Sequence, residues 1–386
     1  MRKQDKICLY GKGNFKKREK MHANITAIGT ASPPFMRTQD EIAELISIGF
    51  HLDETQKKIL KKIYKSSGID TRYSVLTDYC KQPGQFEFFP NTPEESFPST
   101  LQRMMLYKEN ALNLAITSIE NCLNSIDFDK SKITHLITVS CTGMYAPGID
   151  IEIVHKLNLS SSVKRTAINF MGCYGAFNGL KVANAFCQTE PDCNVLLVCV
   201  ELCTIHFQNT FNIENIISNA IFADGAACAL IQGQTNQKCF ALESFYCDLV
   251  PQTSRDMAWT ITNYGFDIIL SSYVPEAIEA GIFMFTEKLL KQSNYSFNDI
   301  DYYAIHPGGI KILHACEKAL KITAHDNQYA YDVLRNYGNM SSATVLFVLK
   351  NIWDKLSARD EAKHIFSCAF GPGLTLESMI LKIQHH

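Results

Sequence analysis

The chain has no CxxC pair, no Pro-rich or low-complexity linker and no apolar run approaching a membrane span, which needs ~18–20 residues. Each absence closes off a class of answer. Zinc and iron–sulfur sites usually draw on closely spaced ligand pairs, so no metal site is read here despite fourteen cysteines. With no apolar leader either, the thiols are read as reduced and the location as cytoplasmic. Charge of one sign is also missing. The 37 Lys and Arg nearly balance 39 Asp and Glu, a net charge of −2, so no global field favours nucleic acid or an anionic membrane.

What is present suits a large buried core. The 386 residues are 46% apolar and 20% charged, enough for two or three domain-sized units or one large duplicated fold. Residues 1–21 stand apart. In "MRKQDKICLYGKGNFKKREK" eight Lys or Arg face two acids without an amphipathic pattern, so this part is read as a flexible basic extension.

From there, short β-branched runs alternate with helix-like segments, the pattern of an α/β fold. Residues 133–141, 165–170, 194–202 and 225–233 read as strands, and 176–188 as a helix. The order then recurs: a strand over 301–309, a helix over 310–320, a turn and helix over 337–353, and a strand–turn–strand over 364–383. Thus "NFMGCYGAFNGLKVANAF" corresponds to "RNYGNMSSATVLFVLKNI", and "THLITVSCTG" to "DYYAIHPGGI", in element order rather than identity. Two halves follow, 22–235 and 236–386, with their turns meeting at one site.

Three residues at those turns point to chemistry. Cys173, between Gly172 and Gly175, sits where a strand turns into a helix. Backbone N–H groups there lower a thiol pKa and can hold an oxyanion, though such a turn also serves close packing with an inert thiol. His306 in "AIHPGG" ends a predicted strand, where open α/β sheets place ligand chemistry. His51, His135, His155, His314 and His364 lack such a glycine turn and read as surface or satisfied packing residues. Asn339 precedes a helix, the usual place of an N-cap, but it also occupies in the second half the position Cys173 holds in the first.

From about Ile25 to Ile383 the chain resembles the type III polyketide synthases of the chalcone synthase family, a branch of the thiolase-fold condensing enzymes. The resemblance rests on "MGCYGAFNGLKVA", "FADGAACALI", "AIHPGG", "YGNMSSATVLFVL" and "FGPGLTLE". It implies a thiolase-like fold of two pseudo-symmetric halves in αβαβα layers, a homodimer, and Cys173, His306 and Asn339 as catalytic triad. It also implies acyl-CoA and malonyl-CoA as substrates and no metal or redox cofactor. Cys173 would carry a starter acyl group, with His306 as its imidazolium partner; His306 and Asn339 would then hold the malonyl thioester as it loses carbon dioxide.

The same resemblance makes Phe222 a gate and Gly373 part of the closing loop. Ile268 falls where plant enzymes carry a second gate phenylalanine, Trp259 where they carry a small glycine, and Cys203 and His206 where they carry pocket threonines. A tryptophan in the wall takes cavity volume from a long folded polyketide, so a fatty or other small acyl starter with few extensions, released as an alkylpyrone or resorcinol, is expected. Lys65 and Lys311 are candidates for CoA phosphates, against the plain reading of solvated lysines. Two other readings stand beside this one. A ketoacyl synthase III-like acyltransferase making one condensation with a carrier protein is opposed by "HPGG" and "FGPG". An inactive thiolase-fold partner subunit is opposed by the intact Cys, His and Asn.

Overall fold

The computed structural model describes residues 22–250, 256–271 and 273–385; the extension read over 1–21 lies outside the described residues. The first half opens with β1 (Asn24–Ala31), β2 (Phe35–Thr38), α1 (Gln39–Gly49), α2 (Glu54–Lys65) and β3 (Thr71–Ser74). It continues through α3 (Thr100–Leu123), β4 (His135–Ser140), α4 (Ile149–Leu157), β5 (Lys164–Asn169) and α5 (Gly175–Thr189). β6 (Asn194–Leu202), α6 (Ile213–Ile221) and β7 (Asp224–Gln232) close it. The second half begins with β8 (Cys239–Leu249) and the hairpin β9 (Met257–Thr262) and β10 (Gly265–Leu270). There follow α7 (Val274–Gln292), β11 (Tyr302–Ile305), α8 (Ile310–Leu320), α9 (Gln328–Tyr337), α10 (Thr344–Lys355), β12 (His364–Gly371) and β13 (Thr375–Gln384).

Local chemistry sets many of these boundaries. Thr38, Asp53 and Ser99 start α1, α2 and α3, each paired with Glu41, Gln56 or Gln102 in a capping box that satisfies the first-turn N–H groups. β6 is a nearly unbroken apolar run, and both β4 and β6 are buried along almost their whole length, as strands covered on both faces must be. The strand expected over 301–309 contracts to β11, because Pro307 lacks an N–H and Gly308–Gly309 turn the chain away.

Nine strands form one sheet in the order β11-β12-β13-β8-β1-β7-β6-β4-β5. Apart from β5, which adds parallel to β4 at one edge, the wiring is the same on both sides of its centre. β1 and β8 each pair antiparallel with the last strand of their half, β7 and β13. Those pair antiparallel with β6 and β12, which lie parallel to β4 and β11. At the centre β1 and β8 share only Asn24↔Ala241 and Ile25↔Phe240.

The helices explain this narrow join. α5 touches β4 and β6 of its own half and β13 of the other, while α10 touches β11 of its half and β1 and β7 of the other. Both therefore lie between the half-sheets. α3 covers β1, β6 and β7 from outside, and α7, with α8 packed on it, covers β8 and β13. These are the five layers of a thiolase-like fold, and they put the N-terminal ends of α5 and α10 face to face. Among the described residues no helix is long and apolar enough to cross a membrane.

Candidate active site

Gly172, Cys173 and Tyr174 form a single tight turn between β5 and α5. Gly172 has φ 76°, and a Cβ there would lie 2.3 Å from Cδ of Pro372. Only glycine lets this turn sit against the loop that joins β12 to β13. The second half supplies the matching turn. Gly338 has φ 74°, and a Cβ there would lie 2.9 Å from the Ile221 carbonyl oxygen. The next residue, Asn339, donates its N–H to Ile221 O at 2.8 Å and accepts from Ala223 N at 2.9 Å, which ties it to the segment carrying Phe222. His306 leaves β11 with its N–H donated to Cys368 O at 2.8 Å.

The side chains of all three converge on one narrow cavity of about 40 Å³, walled mainly by apolar groups. Room of that size admits a few waters at most. The Asn339 amide has a defined sense: Oδ1 accepts from Ser341 N at 2.8 Å. Its NH₂ is therefore turned toward Gly308 O at 3.3 Å, and the Cys173 sulfur lies 3.8 Å from both the NH₂ and Oδ1. Neither ring nitrogen of His306 has a hydrogen-bond partner, although the residue is almost fully buried. Orphaned polar atoms in a dry site are costly unless a ligand satisfies them.

The electrostatics correct one sequence expectation. The helix N-terminus and imidazolium were expected to favour a thiolate. Instead burial pushes the Cys173 thiol up to about 12, although Asn339 and Ser341 hydrogen bonds pull the other way. Burial alone pushes His306 down to about 3. Both shifts favour the uncharged forms, a thiol and a neutral imidazole, because burial penalises either ion.

Of the residues expected at the gate and cavity, Phe222, Ile268 and Trp259 line it. The Trp259 ring stands edge-on to Phe222, centroids 6.3 Å apart. Cys203, His206 and Gly373 are not among its walls, although Gly371 and Pro372 are. His206 is taken up structurally: Nε2 bonds the Thr142 carbonyl at 2.7 Å, Nδ1 accepts from Phe266 N at 3.0 Å, and the ring stacks on Phe266 at 4.2 Å. It props the β9–β10 hairpin from behind. Cys203 is buried without reaching the cavity. His135, read as a surface or satisfied residue, begins β4 fully buried, with Nδ1 on Thr134 Oγ1 at 2.8 Å and its ring stacked on Phe186.

Lys65 and Lys311 are both exposed. Gly68 packs against Ile310, which brings the end of α2 up to the start of α8, two residues before Ile312 of the cavity wall.

Sequence reasoning missed several residues. Met257 and Leu270 also wall the cavity, which the hairpin register shows: Trp259 pairs with Ile268 and Met257 with Leu270 across one face. Ser341 reaches the cavity with φ 47°, a left-handed serine no motif announces. Glu201, fully buried at the end of β6, accepts from Cys141 N at 2.9 Å, Thr142 Oγ1 at 2.8 Å and Ser342 Oγ. It thus links β4, β6 and the turn before α10, and burial raises its carboxyl pKa.

A thiol, an imidazole and a carboxamide brought together at the meeting of two duplicated halves is the arrangement expected of a condensing enzyme, an acyltransferase. Residues 11–235 match the N-terminal domain of chalcone and stilbene synthases, and residues 241–384 match their C-terminal domain. The chain belongs to this family and is a chalcone synthase-like type III polyketide synthase.

Among its relatives is the "Alpha-pyrone synthesis polyketide synthase-like Pks18" of Mycobacterium tuberculosis, 30% identical over 366 residues, or 94% of this chain and 91% of that protein. "Type III polyketide synthase A" of Arabidopsis thaliana is 30% identical over 93% of this chain and 92% of its own. The crystal structure of PKS-I from the brown alga Ectocarpus siliculosus superposes with a TM-score of 0.85 at 27% identity, covering 95% of this chain and all of that one (100%).

Proposed function

We propose that Cys173, His306 and Asn339 catalyse decarboxylative condensation of malonyl-CoA onto an acyl group that Cys173 takes from an acyl-CoA starter. The observation that carries this reading is their convergence on one enclosed apolar cavity, with the Asn339 NH₂ turned inward and both His306 nitrogens unpartnered. As the Cys173 sulfur attacks the starter thioester carbon, neutral His306 takes the thiol proton and returns it to the departing CoA thiolate. A neutral imidazole is the form this step needs.

Malonyl-CoA then places its thioester oxygen between the His306 N–H and the Asn339 NH₂. Carbon dioxide leaves, the negative charge moves onto that oxygen, and the two donors hold the enolate. Phe222 and the other apolar walls favour neutral carbon dioxide over the carboxylate. The enolate carbon attacks the Cys173 thioester, a C–C bond forms and the sulfur is released for the next round. No metal or redox cofactor takes part; the co-substrates are the two CoA thioesters, with Lys65 and Lys311 near the phosphates.

The tight cavity, with Trp259 in its wall, favours a small or narrow acyl starter and few extensions, released as an alkylpyrone or alkylresorcinol. In this reading residues 22–235 carry the nucleophile and 236–386 its two partners, in a cytoplasmic homodimer. The test incubates the protein with malonyl-CoA and a panel of acyl-CoA starters, with mass spectrometry of protein and products. Acyl adducts on Cys173, products extended more than once, and loss of both in Cys173→Ala are expected. Single extension that requires a carrier protein would replace this reading with the ketoacyl synthase III-like one. Absence of any adduct would support the silent-subunit reading.

A further inference from the structure

At the opposite end of α5 from Cys173, two other thiols meet. Cys187 lies in the last turns of α5 and Cys193 just before β6. Their sulfurs are 2.9 Å apart, yet the residues are only 2% and 3% exposed. The turn between them, residues 188–192, is largely exposed. Its backbone already fixes their approach: Glu190 N donates to Phe186 O at 2.7 Å and Cys193 N to Glu190 O at 2.9 Å.

We propose that Cys187 and Cys193 are an oxidisable dithiol, a modification site where a peroxide closes a disulfide across the corner between α5 and β6. A disulfide bond measures about 2.05 Å, so the sulfurs need to close by only about 1 Å. Each thiol is the other's hydrogen-bond partner, so one can stabilise the thiolate of the other. That hydrogen bond shifts the two thiols in opposite directions, Cys193 down and Cys187 up.

The Cys193 thiolate attacks one peroxide oxygen, the O–O bond breaks, and sulfenic acid and water form. The Cys187 sulfur then attacks the Cys193 sulfur, the S–O bond breaks, and the hydroxide leaves as a second water with the Cys187 proton. Two electrons pass from the sulfurs to the peroxide. Opening of the exposed turn admits the oxidant without unfolding the sheet. A small thiol reductant reverses the bond.

The experiment treats the full-length protein, free of substrate, with hydrogen peroxide. Remaining thiols are capped, and the protein is cut with a protease that cleaves before Asp192, between the two cysteines. The two flanking peptides should stay joined, short of two hydrogens at Cys187 and Cys193, and separate after reduction. Exposed Cys80 and Cys247 report that oxidant was sufficient. Cys193→Ser should lose the link and leave Cys187 alkylatable, with its activity before oxidation unchanged; if that variant does not fold, the wild-type peptides decide alone. Both thiols still capped at doses that oxidise Cys80 and Cys247 would overturn the proposal, as would sulfinic acid or a link to another cysteine.

Discussion

Replacing His306 with glutamine should remove part of the protein's sensitivity to acid. Burial holds the folded ring at about 3, against 6.5 for an ordinary imidazole. As pH falls below 6.5 the unfolded chain binds a proton that the folded chain refuses, so stability is lost on acidification. Going from pH ~7.5 to ~5 crosses about 1.5 units below the unfolded pKa, which removes about 2 kcal/mol.

His206, also pushed down to about 3, adds a loss of similar size. Asp224, raised to about 6 by burial, acts oppositely: the folded chain protonates it first, which stabilises by about 1 kcal/mol over the same interval. Glu201 shifts in the same upward direction. The wild-type response is therefore a difference between opposing contributions, and only subtraction isolates His306.

Urea unfolding followed by fluorescence and circular dichroism, at both pH values, should show His306→Gln losing about 2 kcal/mol less than wild type. If the two losses agree within about 0.5 kcal/mol, His306 titrates normally when folded. The desolvation argued for the His306 site, which keeps its ring neutral well into acid, would then be wrong.

Trp259→Gly should open the cavity and shift product masses upward by whole two-carbon units, with Trp259→Ala checking that glycine's backbone freedom in β9 is not the cause. An unchanged product distribution would remove Trp259 as a limit on chain length. Replacing Lys65 and Lys311 with alanine should raise the KM for CoA substrates about fivefold for each lost phosphate contact of about 1 kcal/mol, with kcat little changed and less sensitivity to salt. A KM that stays put in both variants places the phosphates elsewhere.

How much of the site was legible varies by residue. Cys173 and Asn339 could be found because glycine turns at equivalent places in two halves are a pattern along the chain, and β6 and α8 match the residues 194–202 and 310–320 read from periodicity. Trp259 and Ile268 were found through resemblance, whereas Met257 and Leu270 became visible with the register of their hairpin. His206 was misplaced because a polar residue near a cavity and one bracing its wall look alike until the partners of both ring nitrogens are known.

Alternation of apolar strand and helix segments, and turns with glycine where a Cβ cannot fit, determined the duplicated α/β fold and which three residues meet at the cavity. Those are local constraints, written in consecutive residues. The direction of the pKa shifts came from the tertiary structure alone. A helix N-terminus favours thiolate locally, but enclosure by two half-sheets removes the water that an ion needs, and the larger effect raises Cys173 and lowers His306. The same packing set the cavity's size and brought Cys187 against Cys193. Volume and desolvation depend on atoms from distant parts of the chain, and no stretch of sequence contains them.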